Sequence, residues 1–169
     1  WVNKPKAGAD ERQMTQLVKK KKLKESSRNW VRRQLNDPYV ARTRAEGYRA
    51  RAAFKLIELD EQFHIIKRGA RVIDLGAAPG GWLQVAQARG AAKIVGIDLL
   101  PIEPIAGVTL FEKDFLADDA PDLLMQALGG PPDVVLSDMA ANTARHAKTD
   151  QIRTGALADA AADFALAHL

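Results

Sequence analysis

The sequence contains no cysteine, so it offers no disulfide framework, no thiolate metal site and no cysteine nucleophile. Histidine is scarce, and His64, His146 and His168 lie far apart, which argues against a histidine-rich metal site. No apolar run approaches the roughly 20 residues that span a bilayer, and no signal-peptide pattern is present. We therefore expect no membrane partner. Because the sequence begins at Trp1, we expect it to be part of a longer gene product.

Acidic residues are few near the start of the chain, and basic residues are few in the rest. Residues 1–55 hold 16 Lys and Arg against 5 Asp and Glu, a net charge of +11. Residues 56–169 hold 9 against 16, a net charge of −7, so the overall value of +4 hides this division. A basic segment joined to a mildly acidic body favours a polyanionic partner.

The basic segment also carries aromatic residues. Its densest stretch runs from Val18 to Arg33, and aromatic rings that can stack on bases lie in or near it at Trp30, Tyr39 and Tyr48. Further arginines come next along the chain, namely Arg42, Arg44, Arg49 and Arg51. We interpret this pattern as a nucleic-acid-binding region. A solvated tail is the alternative, and an anionic membrane surface is disfavoured because the segment has no clear apolar face.

The hydrophobic pattern predicts an arm followed by one domain. Residues 1–27 have little apolar periodicity and are expected to form a flexible basic arm. Residues 28–66 are expected to hold N-terminal RNA-binding helices, of which the last, 51–63, is amphipathic. Lys55 lies at the border of its apolar stripe, where it can reach solvent or a ligand. The predicted stripe consists of Ala52, Leu56, Leu59 and Phe63.

From residue 70 onward, short apolar runs alternate with helical patterns. Strands are predicted at 70–75, 93–98, 108–111 and 133–137, and helices at 82–88, 121–128 and 149–169. This alternation predicts an α/β fold, a Rossmann-like and mostly parallel doubly wound sheet within a domain at 28–169. Because such sheets are normally covered on both faces, we expect at least one further strand after Leu169 and a C-terminally incomplete domain.

Acidic residues lie at or just past the ends of the predicted strands, where ligands bind in α/β sheets. They are Asp74, Asp98, Asp114 and Asp138. The first strand is followed by a glycine-rich loop at 76–81, whose glycines let the backbone approach a ligand closely. Asp98 comes 22 residues after Gly76, near the spacing of about 20 expected of a ribose-binding acid.

The glycine loop departs from both common phosphate-binding patterns. A dinucleotide motif would need glycine at Ala78, Pro79 lacks an N–H that a pyrophosphate would use, and no Lys-Ser/Thr pair comes after the glycines. A ligand with adenosine and ribose but no phosphate fits better, namely S-adenosyl-L-methionine. Its methionyl part would lie along the loop, its ribose at Asp98 and its adenine amino group at Asp114. The alternative is a purely structural glycine turn.

Three motifs resemble those of the FtsJ/RrmJ family of ribose 2′-O-methyltransferases: DLGAAPGGW from Asp74, IDLLP from Ile97 and SDMAAN from Ser137. Two N-terminal stretches, SRNWVRRQLNDPYV and RARAAFKL, are similar to the same family. The resemblance covers roughly residues 26–169 and is closest to the branch that acts on large-subunit ribosomal RNA. It implies a Rossmann-like methyltransferase fold with S-adenosyl-L-methionine as cofactor.

The implied target is a uridine ribose in the peptidyl-transferase A loop, within the large ribosomal subunit or its precursor. The resemblance also implies that Lys55 and Asp138 belong to a catalytic Lys-Asp-Lys-Glu set, whose other members are expected after Leu169. A monomer in the bacterial cytoplasm is expected, with the mitochondrial matrix as the alternative, and no metal is implied. The residues implied to contact the cofactor are Gly80, Trp82, Asp98, Asp114 and Asp138.

The implied reaction is an in-line displacement, in which a ribose oxygen attacks the methyl group of a sulfonium. Lys55 is the candidate to orient the hydroxyl, and Asp138 to position a lysine ammonium and the methyl end of the cofactor. The sequence from Ser137 to Ala140 lacks the aromatic clamp of the Asn/Asp-Pro-Pro-Tyr motif in amino-methylating enzymes. Two alternatives are a non-catalytic ribosome-assembly factor that retains the fold and a messenger-RNA cap methyltransferase.

Overall fold

A computed structural model of the chain describes residues 37–140 and 147–169. The basic arm expected at 1–27 lies outside the described residues, as do residues 28–36, which include Trp30, and His146. Contacts divide the chain after Arg42, and residues Thr43–Leu169 form the unit that holds the candidate site. Among the helices in the described ranges, none combines the length and apolarity that crossing a bilayer requires.

The described residues contain helices and strands close to the predicted ones. The elements are α1 (Pro38–Glu46), α2 (Ala52–Phe63), β1 (Arg71–Leu75), α3 (Gly81–Ala88), β2 (Lys93–Asp98), β3 (Val108–Glu112), α4 (Ala120–Leu128), β4 (Val134–Ser137) and α5 (Ala147–His168). Pro38 opens α1 directly after Asp37, whose Oδ1 accepts the backbone N–H of Tyr39 at 2.9 Å.

The strands form one parallel sheet in the order β3-β2-β1-β4. In this register Val72 of β1 pairs with Ile94 of β2 and with Val134 of β4. The prediction of a Rossmann-like α/β fold is thereby confirmed. Because all the strands run the same way, their carboxyl ends meet at a single edge of the sheet.

Alternate side chains of each strand point to opposite faces, and each face has its own hydrophobic core. On one face, Val72, Ile94 and Val134 pack with residues of α2 and α3. On the other, Ile73 and Val95 pack with residues of α4 and α5. The central strands are therefore buried on both sides, which explains why they appear in the sequence as short, mostly apolar runs.

The apolar stripe predicted for α2 is wrong in detail. The buried residues are Ala53, Phe54, Leu56 and Asp60, whereas Phe63 is 62% exposed. Asp60 takes a place in the buried stripe because its carboxylate accepts the N–H of Ile66 at 2.7 Å and pairs with Arg89 at 2.8 Å. A buried, satisfied carboxylate is invisible to a pattern of hydrophobicity, so the stripe is rotated from the expected one.

Candidate active site

The acidic residues expected at the strand ends do lie along the carboxyl edge of the sheet. Asp74 lies within β1, Asp98 ends β2 and Asp138 comes directly after β4, while Asp114 comes after β3 with one intervening residue. Helices α2 and α3 cover one face at this edge. The edge is therefore an acidic cleft of the kind in which α/β proteins bind ligands.

Two adjoining cavities open at this edge. The larger, of about 290 Å³, is lined by Asp98, Leu99, Leu100, Asp114 and Asp138 among others. The smaller, of about 60 Å³, is lined by Asp74, Pro79 and Trp82 among others. Gly76, Ala78 and Asp138 line both. The glycine loop and the residue after β4 thus form the partition between the two cavities.

The glycine loop is held at the edge by the neighbouring strand. The N–H groups of Gly76 and Ala77 both donate to the carbonyl of Ile97 in β2, at 2.9 and 3.1 Å. Gly76 has a φ of +80°, and a Cβ there would lie 2.5 Å from the Cγ of Met139. Only glycine satisfies both the backbone angle and the close approach.

Gly96 of β2 provides a second close approach. A Cβ at Gly96 would lie 3.0 Å from the Cβ of Ala77 and 3.1 Å from the Cδ atoms of Leu83. The missing side chain lets α3 and the start of the glycine loop lie directly on the sheet. The floor of the site therefore depends on two glycines, one in the loop and one in the strand beside it.

The Asp98 carboxylate joins the two loops that border the larger cavity. Its Oδ2 accepts the N–H of Ala78 in the glycine loop at 2.9 Å. Its Oδ1 accepts the N–H of Leu100 in the loop after β2 at 2.8 Å. Within the described residues each oxygen accepts one bond, which leaves each a further lone pair for a ligand hydroxyl.

Asp74 is the most unusual titratable group of the site. Its side chain is 1% exposed, and neither carboxyl oxygen has a hydrogen-bond partner among the residues that the structure describes. Burial raises the pKa of Asp74 to about 8, and the negative charges of Asp138 and Asp98 add to the shift. The sequence marked Asp74 as a strand-end acid, but its burial arises from the covering helices and was not predicted.

Lys55 and Asp138 meet at the mouth of the cleft. The Nζ of Lys55 lies 2.6 Å from Oδ1 of Asp138, and both side chains remain partly exposed. The same ammonium lies 5.6 Å from the ring centroid of Trp82. The indole N–H of Trp82 donates to the carbonyl of Ala52 at 2.7 Å, which ties α3 to the first residue of α2. Trp82 is 8% exposed, so it is also a core residue.

Two of the residues implied to contact the cofactor occupy more peripheral positions. Asp114 is exposed and lines the larger cavity, and its Oδ1 accepts the N–H of Leu116 at 2.9 Å. Gly80, by contrast, is absent from the described residues that line the two cavities. Its space is used instead by Arg49 and Ile105, whose side chains a Cβ at Gly80 would meet at 3.2 Å.

Arg49 has a different environment from the one that its place in the basic segment suggested. Its guanidinium donates to backbone carbonyls of Pro79, Glu103 and Pro104. Its own backbone N–H donates to the side chain of Gln84 in α3 at 2.8 Å. The sequence offered no signal for these contacts, because their acceptors are main-chain atoms distant along the chain.

A parallel sheet with a glycine loop after its first strand and acids at its strand ends defines a Rossmann-like α/β protein. The model of the FtsJ-like methyltransferase family matches residues 48–169. The chain belongs to this family, which confirms the resemblance found in the sequence motifs.

Two relatives show how far the similarity extends. The ribosomal RNA large subunit methyltransferase E of Novosphingobium aromaticivorans is 59% identical over 162 residues, covering 95% of this chain and 73% of the relative. That of Acidiphilium cryptum is 57% identical over 162 residues, covering 96% of this chain and 72% of the relative.

A solved structure is similar as well. The crystal structure of a ribosomal RNA methyltransferase from Plasmodium falciparum superposes with a TM-score of 0.61 and 29% identity. The match covers 72% of this chain and 69% of that one. The fold seen here is therefore that of a methyltransferase.

Proposed function

We propose that this protein transfers a methyl group from S-adenosyl-L-methionine to the 2′-oxygen of a uridine ribose in large-subunit ribosomal RNA, in the peptidyl-transferase A loop. The observation that carries the proposal is the Lys55–Asp138 ion pair at the mouth of an acid-lined cleft. The names of the two bacterial relatives support ribosomal RNA of the large subunit as the substrate.

The residues of the cleft fit the proposed cofactor. S-adenosyl-L-methionine carries a positive sulfonium and an ammonium, and a cation bound in the cleft would favour the ionised form of Asp74, whose carboxyl lacks a partner among the described residues. Asp98 has lone pairs that would accept from the two ribose hydroxyls, and Asp114, which also lines the larger cavity, would accept from the adenine amino group. The close approach at Gly76 leaves room for the methionyl chain.

When bound, the cofactor supplies an electrophilic methyl group on a positively charged sulfur. The chain has to hold the ribose hydroxyl in line with the carbon–sulfur bond, because alignment of the reacting atoms removes much of the barrier. Transfer would form an oxygen–carbon bond and break the carbon–sulfur bond of the cofactor, and a base would have to accept the hydroxyl proton. Negative charge that builds on the oxygen then has to be stabilised.

Lys55 is placed for that last task. Its ammonium has three N–H donors, of which one is directed to Asp138, so donors remain for a ribose oxygen. Asp138 holds the ammonium at the point where the two cavities join, because it lines both of them. Trp82 limits the movement of Lys55 by anchoring the start of α2.

The residues after β4 favour a ribose over a base as the methyl acceptor. The stretch Ser137–Ala140 carries no aromatic residue that would clamp a flipped base. Ribose chemistry needs no such clamp, because the hydroxyl is already accessible on the sugar edge of an unpaired nucleotide. An enzyme that acts on the sugar therefore fits this site better than one that acts on an amino group of a base.

The test is to incubate the full-length protein with large ribosomal subunits and S-adenosyl-L-methionine carrying a labelled methyl group. Mass-spectrometric mapping of the ribosomal RNA is expected to find one labelled ribose, on a uridine of the A loop. Calorimetry on the same protein is expected to show binding of S-adenosylhomocysteine. Label on a base, or particles that are bound without being methylated, would overturn the proposal, and the second result would favour an assembly factor.

A matched pair of variants locates the cofactor. Asp98→Asn removes one of the two acceptors that ribose hydroxyls need, so the Kd for S-adenosylhomocysteine is expected to rise about 10- to 100-fold. Asp159→Asn removes the same charge from an exposed position on α5 and is expected to leave the Kd unchanged. Equal Kd values of the two variants for S-adenosylhomocysteine would show that Asp98 does not bind the cofactor.

A further inference from the structure

We propose that Arg49 is a positioning residue that clamps the two loops of the cofactor pocket together, and that it sets cofactor affinity without touching RNA. The inference rests on the proposed function, because it assumes that S-adenosyl-L-methionine is the ligand of the larger cavity. The two loops are the glycine loop after β1 and the loop at 99–107 after β2, which we call the β2–β3 loop.

The guanidinium of Arg49 spans both loops from outside the pocket. Its Nη1 donates to the carbonyl of Pro79 in the glycine loop at 3.3 Å and also to the carbonyl of Glu103. Its Nη2 donates to the carbonyl of Pro104 at 2.9 Å. The rigid fork of a guanidinium suits such divergent acceptors, whereas a single ammonium holds one point.

The β2–β3 loop depends on such side chains for its shape. Residues 99–105 contain neither helix nor strand, and the carbonyl of Ala106 is held by the side chain of Gln87 at 2.7 Å. The loop begins at Leu99 and Leu100, which line the larger cavity, and the N–H of Leu100 donates to Asp98. Movement of the loop at Glu103 therefore reaches the carboxylate proposed to hold the ribose.

Gly80 makes the clamp possible. A Cβ on Gly80 would lie 3.2 Å from Nη1 of Arg49 and 3.2 Å from Cδ1 of Ile105, and its φ is +112°. The glycine thus leaves space for the guanidinium to cross the loop. This gives Gly80 a role in the site although it lies outside the set of described residues that line the cavities.

The clamp also joins the pocket to the segment that carries Lys55. The backbone N–H of Arg49 donates to Gln84 of α3, and the amide of Gln84 donates in turn to the carbonyl of Gly47 at 3.1 Å. Arg49 lies only six residues before Lys55 in the sequence. Arg49 therefore connects both cofactor loops to the start of α2, the helix that carries Lys55.

The competing role for Arg49 is a contact with RNA phosphate, as its basic neighbourhood suggests. The guanidinium already donates to three carbonyls, so a phosphate would have to displace them or bind to the remaining N–H groups. The two roles differ in what they affect. A clamp acts on cofactor binding in the absence of RNA, whereas a phosphate contact acts on RNA binding and its salt dependence.

The experiment compares Arg49→Ala, Arg49→Lys and the control Arg68→Ala in the full-length protein. Calorimetry with S-adenosylhomocysteine, without RNA, is expected to show a Kd at least ~10-fold higher for Arg49→Ala. Arg49→Lys is expected to recover only part of that loss, and Arg68→Ala is expected to bind with the wild-type Kd. In turnover assays KM for the cofactor should rise while kcat at saturation stays near the wild-type value.

Hydrogen exchange distinguishes local loosening of the β2–β3 loop from destabilisation of the whole protein. In Arg49→Ala the amides of Leu100 and Val108 are expected to exchange about 10-fold faster, while that of Ile73 in β1 is unchanged. An unchanged cofactor Kd, or a loss confined to RNA affinity, would overturn the clamp. If the wild-type protein binds no S-adenosylhomocysteine, the proposed function fails, and the exchange rates alone decide whether Arg49 holds the loop.

Discussion

The ammonium of Lys55 and the carboxylate of Asp138 are 83 residues apart in the sequence and 2.6 Å apart in space. The contact joins α2, which covers one face of the sheet, to the residue after β4 at the edge of the sheet. It brings together the two residues that the family resemblance implied as catalytic. Because both side chains are partly exposed, the pair contributes little to stability, and its value lies in placing charge at the cleft.

The first prediction concerns this pair. Asp138→Asn keeps the size of the side chain but removes the charge that holds Lys55, so turnover is expected to fall at least ~100-fold. Affinity for ribosomal RNA and the free energy of unfolding should stay close to wild type. Glu61→Gln is the control. Glu61 lies on α2, the helix that carries Lys55, and it is exposed and forms a long ion pair with Arg89 at 3.9 Å. Wild-type turnover in Asp138→Asn would contradict the assignment.

The second prediction concerns Trp82. Trp82→Phe removes the indole donor to Ala52 and weakens the aromatic face near Lys55, so the free energy of unfolding should fall by about 1 kcal/mol. Turnover should fall as well, because the first turn of α2 loses an anchor. Phe164→Leu removes aromatic packing from the opposite core, and urea unfolding should show a comparable loss of stability with turnover unchanged. Equal turnover in the two variants would count against a role for Trp82 in positioning Lys55.

The third prediction arises from the raised pKa of Asp74. An unfolded aspartate loses its proton near pH 4, whereas in the folded protein Asp74 keeps it up to a pKa of about 8. Between these values the folded state binds more protons, so the group makes the protein less stable as pH rises, by at most ~1.4 kcal/mol per pH unit. The asparagine in Asp74→Asn does not titrate. The free energy of unfolding of this variant should therefore exceed that of wild type by an amount that grows from pH 5 to 8 and then levels off.

Urea unfolding at a series of pH values measures this advantage. The control is Asp119→Asn, because the hydrogen bond from Lys113 lowers the pKa of that exposed carboxyl. Because its pKa is lowered, ionised Asp119 adds to the free energy of unfolding, and this contribution is lost only when the pH falls through the usual aspartate range and below it. The free energies of unfolding of Asp119→Asn and wild type should therefore differ by a constant amount between pH 5 and 9. Parallel pH profiles for Asp74→Asn and wild type would show that Asp74 is ionised in the folded protein.

The fourth prediction concerns the basic arm. Residues 1–27 contain eight Lys and Arg against three Asp and Glu, so their removal should weaken binding to large-subunit RNA and flatten its dependence on salt. Each phosphate contact that is lost should change the slope of log K against log salt by about 0.7–0.9. Replacing the eight basic residues with glutamine keeps the length and should have the same effect. An unaltered slope would identify the arm as a solvated tail.

Most of the fold could be predicted from the sequence because its central strands are buried on both faces. Runs such as Val72–Leu75, apolar except for Asp74, and Ile94–Ile97 are short and buried, and they are separated by helical patterns and glycine turns. The strand-end position of the acids could be inferred directly from this alternation. Local pattern and three-dimensional environment agree at these positions, so the sequence alone was sufficient.

The errors and omissions arise where distant parts of the chain meet. The stripe of α2 was misplaced because Asp60 is buried through bonds to Ile66 and Arg89, which a hydrophobic pattern does not show. The contacts of Arg49 could not be predicted because their acceptors are backbone carbonyls, which every residue has. The pKa of Asp74 depends on the helices that exclude water from β1, and residue type alone does not predict such burial.

The contact between Leu83 and the bare backbone of Gly96 limits how this scaffold can diversify. A methyl group at Gly96 would lie 3.0 Å from the Cβ of Ala77 and 3.1 Å from the Cδ atoms of Leu83, so α3 and the start of the glycine loop would have to shift by a few tenths of an ångström. New specificities are therefore expected to evolve through the surface loops after β2 and β4, while this position in the sheet stays without a side chain.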